Sequence, residues 1–261
     1  AEDRFAAAFR FSDEAPRVGL VYAQFIIRHG ELSRAERLLE KMSIKNPDNK
    51  DVLKMLADVK LRRNDWVAAE ELAEKLKTLD SEDSDGYRIS GAALAGLQSP
   101  EESVSEFEKA YEVTPEAGEA MQSLVQAYLR DGDVDKAERF LTNVLASSQS
   151  NYLASTLLAN IKFRKNEPEN AVKLIRDAIA GDPKEESGYV TLARYFLATD
   201  QKEEAAKVLN AGLKENPDGF VLNMIQAGVY ESEGKNVEAI EIYEKLLQDR
   251  PNSEIVVNNL A

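Results

Sequence analysis

Apolar and small residues fall on a fixed period along this chain. Between Tyr189 and Pro217, the residues Tyr189, Leu192, Ala193 and Phe196 recur at spacings of three and four, which places them on one stripe of a helix. Asp200 and Gln201 supply a turn, after which Ala205, Val208, Leu209 and Leu213 repeat the stripe. Pro217 then closes the segment, because its ring and missing N–H cannot continue a helix. Steps of 34 residues from Ala205 land on Ala35, Ala69, Ser103, Ala137, Ala171 and Ala239, with no insertion or deletion breaking the register. Two amphipathic helices per 34 residues are therefore expected. Ala or Gly recurs at the eighth and twentieth places, as in Ala23 with Ala35, Ala57 with Ala69 and Ala227 with Ala239. The reason is steric: paired helices approach closely only where the crossing residues are small.

The register gives seven full repeats, at 16–49, 50–83, 84–117, 118–151, 152–185, 186–219 and 220–253. Residues 1–15 supply part of an earlier repeat, with Ala1, Phe5 and Ala8 in the places of Ala35, Leu39 and Met42, and 254–261 begin another. Residues 1–261 thus read as one continuous array, a quasi-one-dimensional stack that shares its core between neighbours. Neither end carries a polar cap, so the expectation is a fragment of a longer protein. Prolines close five repeats, at Pro47, Pro115, Pro183, Pro217 and Pro251, whereas Ser81 and Gln149 stand at the other two joints; these two are expected to be less defined. The repeat at 84–117 departs most from the pattern. Its first helix contains Gly86, Gly91 and Gly96, each costing about 0.8–1.0 kcal/mol relative to Ala in a helix interior, so the softest point of the stack is expected there.

Composition narrows the functional classes. The balance of 33 basic against 47 acidic residues gives a net charge of −14, which opposes general binding to nucleic acid or anionic membranes. The absence of Cys removes disulfides and thiolate metal sites. No apolar run reaches the roughly 18 residues of a membrane span. No Gly-rich phosphate loop, serine elbow or Cys/His cluster occurs. His29 is the only histidine and precedes Gly30 at a helix end, so it reads as a solvated turn residue. The pairs Glu70/Glu71, Glu101/Glu102 and Glu203/Glu204 are adjacent on helices and point about 100° apart, as solvated faces do. No catalytic residue, cofactor or metal site is expected.

With its 34-residue period and the aromatic, Leu, small, aromatic, Ala, apolar and Pro series, the chain resembles the tetratricopeptide-repeat (TPR) superfamily. The resemblance implies an all-α, right-handed α-solenoid of antiparallel helical hairpins whose first helices line a concave groove. It also implies a non-catalytic scaffold that binds a peptide, a helix or a partner protein in that groove. Asn258, Asn259, Leu260 and Ala261 and the closing style of the repeats resemble bacterial arrays, including lipoproteins of the exopolysaccharide and PEP-CTERM systems. That likeness implies an envelope scaffold, periplasmic or membrane-associated. The carboxylate clamp of co-chaperone members is not matched, since Lys54 is followed on its face by Asp58, and Ile89 and Ala92 stand where Asn is wanted.

The places that the resemblance assigns to the concave wall carry the bases Arg17, Arg28, Lys54, Arg62, Arg88, Arg130, Arg164 and Arg194. The acids there are Asp51, Asp58, Asp85, Glu119 and Glu231. A net positive wall on an acidic chain suits a ligand bearing carboxylates or phosphates, because the planar guanidinium fork matches both. The alternative is that these bases pair with acids of neighbouring helices and hold the stack. Phe163 and Met224, with Leu157, Leu197, Val221 and Ile225, make the later part of the wall apolar, unless the next repeat covers them. Trp66 sits at an inter-helix turn, where packing is expected. A third functional reading makes the chain the recognition portion of an enzyme, such as a glycosyltransferase, with the catalytic domain elsewhere.

Overall fold

The computed structural model describes residues 2–148, 151–251 and 253–260, so Ala1, Gln149, Ala261 and the expectations attached to them lie outside the described residues. Sixteen helices and no strand occur among the described residues. The chain divides into two compact units, 1–137 and 138–261. The first contains α1 (Glu2–Phe11), α2 (Pro16–Arg28), α3 (Leu32–Lys45), α4 (Lys50–Arg62), α5 (Trp66–Leu79), α6 (Ser84–Gly96), α7 (Pro100–Val113) and α8 (Gly118–Arg130). The division falls within α9 (Val134–Ser147). The second contains α10 (Tyr152–Arg164), α11 (Pro168–Gly181), α12 (Glu186–Ala198), α13 (Lys202–Glu215), α14 (Phe220–Ser232), α15 (Asn236–Asp249) and α16 (Glu254–Leu260). Each is an all-α stack of helical hairpins in which consecutive helices pack on one another, the solenoid architecture expected from the period.

The turn inside each hairpin repeats as strictly as the helices. Gly30, Asn64, Gln98, Gly132, Asn166, Asp200 and Gly234, spaced 34 apart, all adopt a positive φ, between 57° and 85°. One residue later the amide N–H donates to a carbonyl five positions back, as in Asp65 to Lys60, Asp133 to Tyr128 and Lys235 to Tyr230, each at 2.9 Å. This six-to-one bond is the Schellman closure, which satisfies a carbonyl that the helix end leaves open. Glycine fits such a position without steric cost; Asn and Asp tolerate it, and Gln98 tolerates it least.

The small places are where the helices cross. Ala35, Ala69, Ala137, Ala171, Ala205 and Ala239 are at most 2% exposed, and Ser103 is 3% exposed. Ser103 resolves its polarity locally, its Oγ donating to the Gly91 carbonyl at 2.7 Å. The glycines of α6 have occupants in place of their missing side chains. A Cβ on Gly91 would stand 3.0 Å from the Phe107 ring, one on Gly86 would stand 2.9 Å from Lys77 Cγ, and one on Gly96 would enter the Trp66 indole. The propensity cost of these glycines is therefore offset by closer packing, a compensation that composition does not reveal. The Ser81 joint is tied by charge, with Lys50 bonded to Asp80 at 2.6 Å and Lys54 to Asp83 at 2.6 Å. In the second unit, the Glu186 carboxylate accepts the Leu222 N–H at 2.9 Å and so caps the start of α14 from a neighbouring repeat.

Candidate functional site

In the first unit, the first helices of three successive repeats, α4, α6 and α8, open a cleft to solvent. Asp58, Arg62, Arg88, Glu119, Gln122 and Gln126 line it. These side chains come from the second, fifth, ninth and thirteenth places of their repeats, so the groove register read from the sequence brings together residues that share a surface. An adjoining cavity of about 420 Å³ shares Arg88, Ser123 and Gln126 with the cleft and adds Trp66, Ala92 and Arg130. Trp66 does pack, as expected at its turn, over Gly96. It also forms a wall of this cavity, a role not anticipated from its place.

The charged residues of the wall separate into two groups. Lys54 bonds Asp83 at 2.6 Å and Asp85 at 2.8 Å, and Arg88 bonds Asp85 at 3.1 Å. Burial would lower the pKa of the Lys54 ammonium, but the hydrogen bonds to Asp83 and Asp85 outweigh it and hold the pKa above the ordinary lysine value. Burial would likewise raise the Asp85 carboxyl, and Lys54 and Arg88 hold it below the usual range instead. These residues form a structural ion-pair set. By contrast, among the described residues no carboxylate lies within 4.0 Å of Arg28, Arg62 or Arg130, and Arg62 and Arg130 are exposed. Asp58, half-buried in the same wall, has its carboxyl pushed up by desolvation, only partly countered by Arg88 and Arg62.

In the second unit, Arg164 and Arg194 are exposed, and no described carboxylate is within 4.0 Å of either. Phe163 packs 4.5 Å from the Tyr195 ring, against the core built on Ala159, Ile175 and Phe196. Met224 is partly buried against the core around Ala239 and Tyr243. Both contribute more to packing than to an open surface. A separate hollow lies between α11 and α13, where Val172, Tyr195 and Phe196 are flanked by the Arg176–Glu204 pair at 3.3 Å.

His29 accounts for itself locally: its ring lies 4.2 Å from that of Phe25, and Nδ1 is 2.8 Å from the Phe25 carbonyl oxygen. Among the described residues no group of three or more His, Asp or Glu is placed to hold a metal ion, and no helix is long and apolar enough to cross a membrane. Gln122, Ser123 and Gln126 escape a reading that weighs only charge and apolarity. Their signal is the same set of wall places filled by uncharged polar side chains.

Comparison with known proteins supplies the lineage. One family profile, described as a tetratricopeptide repeat, matches residues 27–90 and 94–161, and a second of the same description matches 190–254. The chain belongs to the tetratricopeptide repeat family. Tetratricopeptide repeat protein 21B of Mus musculus is 24% identical over 209 residues, covering 75% of this chain and 15% of that protein. Protein O-mannosyl-transferase TMTC1 of Homo sapiens is 27% identical over 168 residues, covering 62% of this chain and 19% of that protein. The chain thus spans under a fifth of the length of each of these two relatives. A crystal structure of a thermophilic TPR protein from Thermus thermophilus superposes with a TM-score of 0.53 at 22% identity, covering 70% of this chain and all of that one. At that identity the likeness is one of fold.

Proposed function

We propose that this tetratricopeptide array is a non-catalytic interaction scaffold that holds a peptide or partner protein along its first-helix wall, its arginines meeting acidic groups. The observation that carries this reading is the pair of exposed arginines, Arg62 and Arg130, with no described carboxylate within 4.0 Å on a chain of net charge −14. Arg88 and Lys54 in the same wall are tied to Asp83 and Asp85, whereas Arg62 and Arg130 keep their forks open to an incoming acidic group. The polar neighbours Gln122 and Gln126 suit the backbone amides of an extended segment, offering both donors and acceptors. Several shallow contacts along such a wall add by avidity. Arg28 extends the proposed surface in the first unit, and Arg164 and Arg194 offer exposed guanidinium groups of the same kind in the second.

A photo-crosslinking residue at Gln122 tests the reading. Adducts should form there and not from the same residue at Lys109, and Arg62→Gln with Arg130→Gln should abolish them at unchanged helicity. Equal adducts from both positions, insensitive to the arginines, would overturn it. A second reading is favoured by the likeness to an O-mannosyl-transferase: the repeats form the recognition portion of a larger enzyme. A transferase domain encoded in the same open reading frame would support it, and a frame holding repeats alone would exclude it.

A further inference from the structure

Resting on the interaction reading above, we infer that the cavity beside α6 is an anchor pocket for an aromatic side chain flanked by an acidic residue in a partner peptide. Its volume of about 420 Å³ lies near the lower end of the range for ligand pockets, which is ample room for an aromatic ring and part of its neighbouring residue. The space exists because, beside Arg88 at its rim, α6 presents the small residues Ala92, Ala95 and Gly96 to it. Trp66 is seated on Gly96 so closely that a Cβ would stand 2.5 Å from Cε2 and 2.6 Å from Cε3 of the indole. The indole is therefore a fixed wall, already ordered before a ligand arrives, and ordering costs at binding fall accordingly.

The two arginines at the rim divide the work. Arg88 is held by Asp85, with both Nε and Nη2 donating to Oδ1 at 3.3 and 3.1 Å, so its guanidinium has a fixed plane. A fixed guanidinium stacks on an aromatic face and contributes by cation–π attraction. Arg130 has no described carboxylate within 4.0 Å and keeps its fork open for an incoming one. An aromatic ring between Trp66 and Arg88 thus places the neighbouring residue of a peptide at Arg130.

An indole beside arginines also stacks nucleic-acid bases. The peptide is favoured because a nucleic acid brings a charge with every nucleotide against Asp58 and Glu119 of the adjoining cleft and a chain of −14, whereas a peptide sets its few carboxylates at the arginines and neutral residues beside the acids.

Trp66 is the only tryptophan, so its emission reports directly on the pocket. The probe is a set of acetylated Gly/Ser octapeptides, each carrying one Phe and two Glu at every relative spacing. At least one spacing should change Trp66 emission saturably. Its affinity should fall at least tenfold when Phe becomes Ala, when the protein carries Ala92→Leu, which fills the pocket, and when it carries Arg130→Gln, with circular dichroism unchanged. If peptides bind but Phe→Ala and Ala92→Leu have no effect while Arg62→Gln weakens them, the pocket is refuted and the wider interaction reading stands. If no spacing moves the emission, the pocket is refuted and crosslinking at Gln122 decides the wider reading separately. Tighter binding of a dT octamer than of any peptide would also overturn the proposal and assign the pocket to nucleic acid.

Discussion

Two glycines of the second unit give the most direct test of how these repeats are packed. Gly212 lies inside α13 and Gly228 inside α14, both with ordinary helical backbone. By helix propensity alone, Ala at either place stabilises by about 0.8–1.0 kcal/mol. Their surroundings differ entirely. A Cβ on Gly228 meets nothing within 4 Å, whereas one on Gly212 stands 2.9 Å from both Cβ and Cγ of Tyr189 and 3.0 Å from Leu222 Cδ1. Tyr189 Cβ is anchored to its own backbone in α12 and cannot swing aside as a side-chain end does. Overpacking of this kind costs about 1–3 kcal/mol. Gly228→Ala should therefore stabilise by about 1 kcal/mol, and Gly212→Ala should range from neutral to about 2 kcal/mol destabilising. Because the propensity term is common to both, the difference between the variants isolates the crossing contact. Unfolding of a repeat stack need not be two-state, so thermal melts should be paired with hydrogen exchange across residues 202–232. Stabilisation of both variants to the same extent would refute the close approach of α12 and α13.

The turns and the buried carboxylate yield two further expectations. Gln98 holds φ +64° where Gly132 and Gly234 occupy the equivalent place, so Gln98→Gly should stabilise by about 1 kcal/mol and Gly132→Ala should destabilise by a similar amount; urea titrations that rank them in reverse would contradict the turn geometry. Glu70 accepts from the buried Ser90 at 2.8 Å, while its Oε2 is buried without a hydrogen-bond partner and Glu74 and Glu106 crowd the Lys77 it faces. Desolvation raises its carboxyl pKa above the ordinary value. The folded chain then binds a proton more tightly than the unfolded one, so this contribution is present in full below about pH 4.3 and is lost as pH rises through the folded value. Glu70→Gln should accordingly be the more stable protein at pH 7, with its advantage shrinking on acidification; an advantage independent of pH would refute the assignment.

The architecture was legible because it rests on places that every repeat must fill in the same way. Ala205 and its counterparts at 34-residue steps predicted the helix crossings, and all proved buried. The turns were harder to read, since the positive φ is shared by Gly30, Asn64, Gln98 and Asp200, and no single residue type marks it. Only the spacing does. In the third repeat, for a related reason, Gly91 and Gly96 look like weaknesses until Phe107 and Trp66 are placed in the space they leave. The same exchange of size recurs elsewhere, with Gly19 meeting Met42 in one repeat and Tyr189 meeting Gly212 in another. The bulk sits on the second helix of the hairpin in the first case and on the first helix in the other, so a consensus taken place by place averages the compensation away.

The surface was legible in position but not in state. Asp58, Arg62, Arg88 and Glu119, all from wall places, line one cleft. Those places did not reveal that Arg88 is tied to Asp85 while Arg62 and Arg130 are not, because pairing depends on a few ångströms of side-chain reach. That difference carries the functional argument. A tied arginine offers a rigid face, an untied one offers an open fork, and a recognition surface needs both: the first to position a ligand without an entropic cost, the second to reward the right charge. A wall whose bases were all paired would hold the stack and nothing else. One whose bases were all free would attract any polyanion, with an attraction that falls as salt is added. On the proposed reading, the mixture in α4, α6 and α8, set beside Asp58 and Glu119, suits a peptide that carries its few carboxylates where the untied arginines stand.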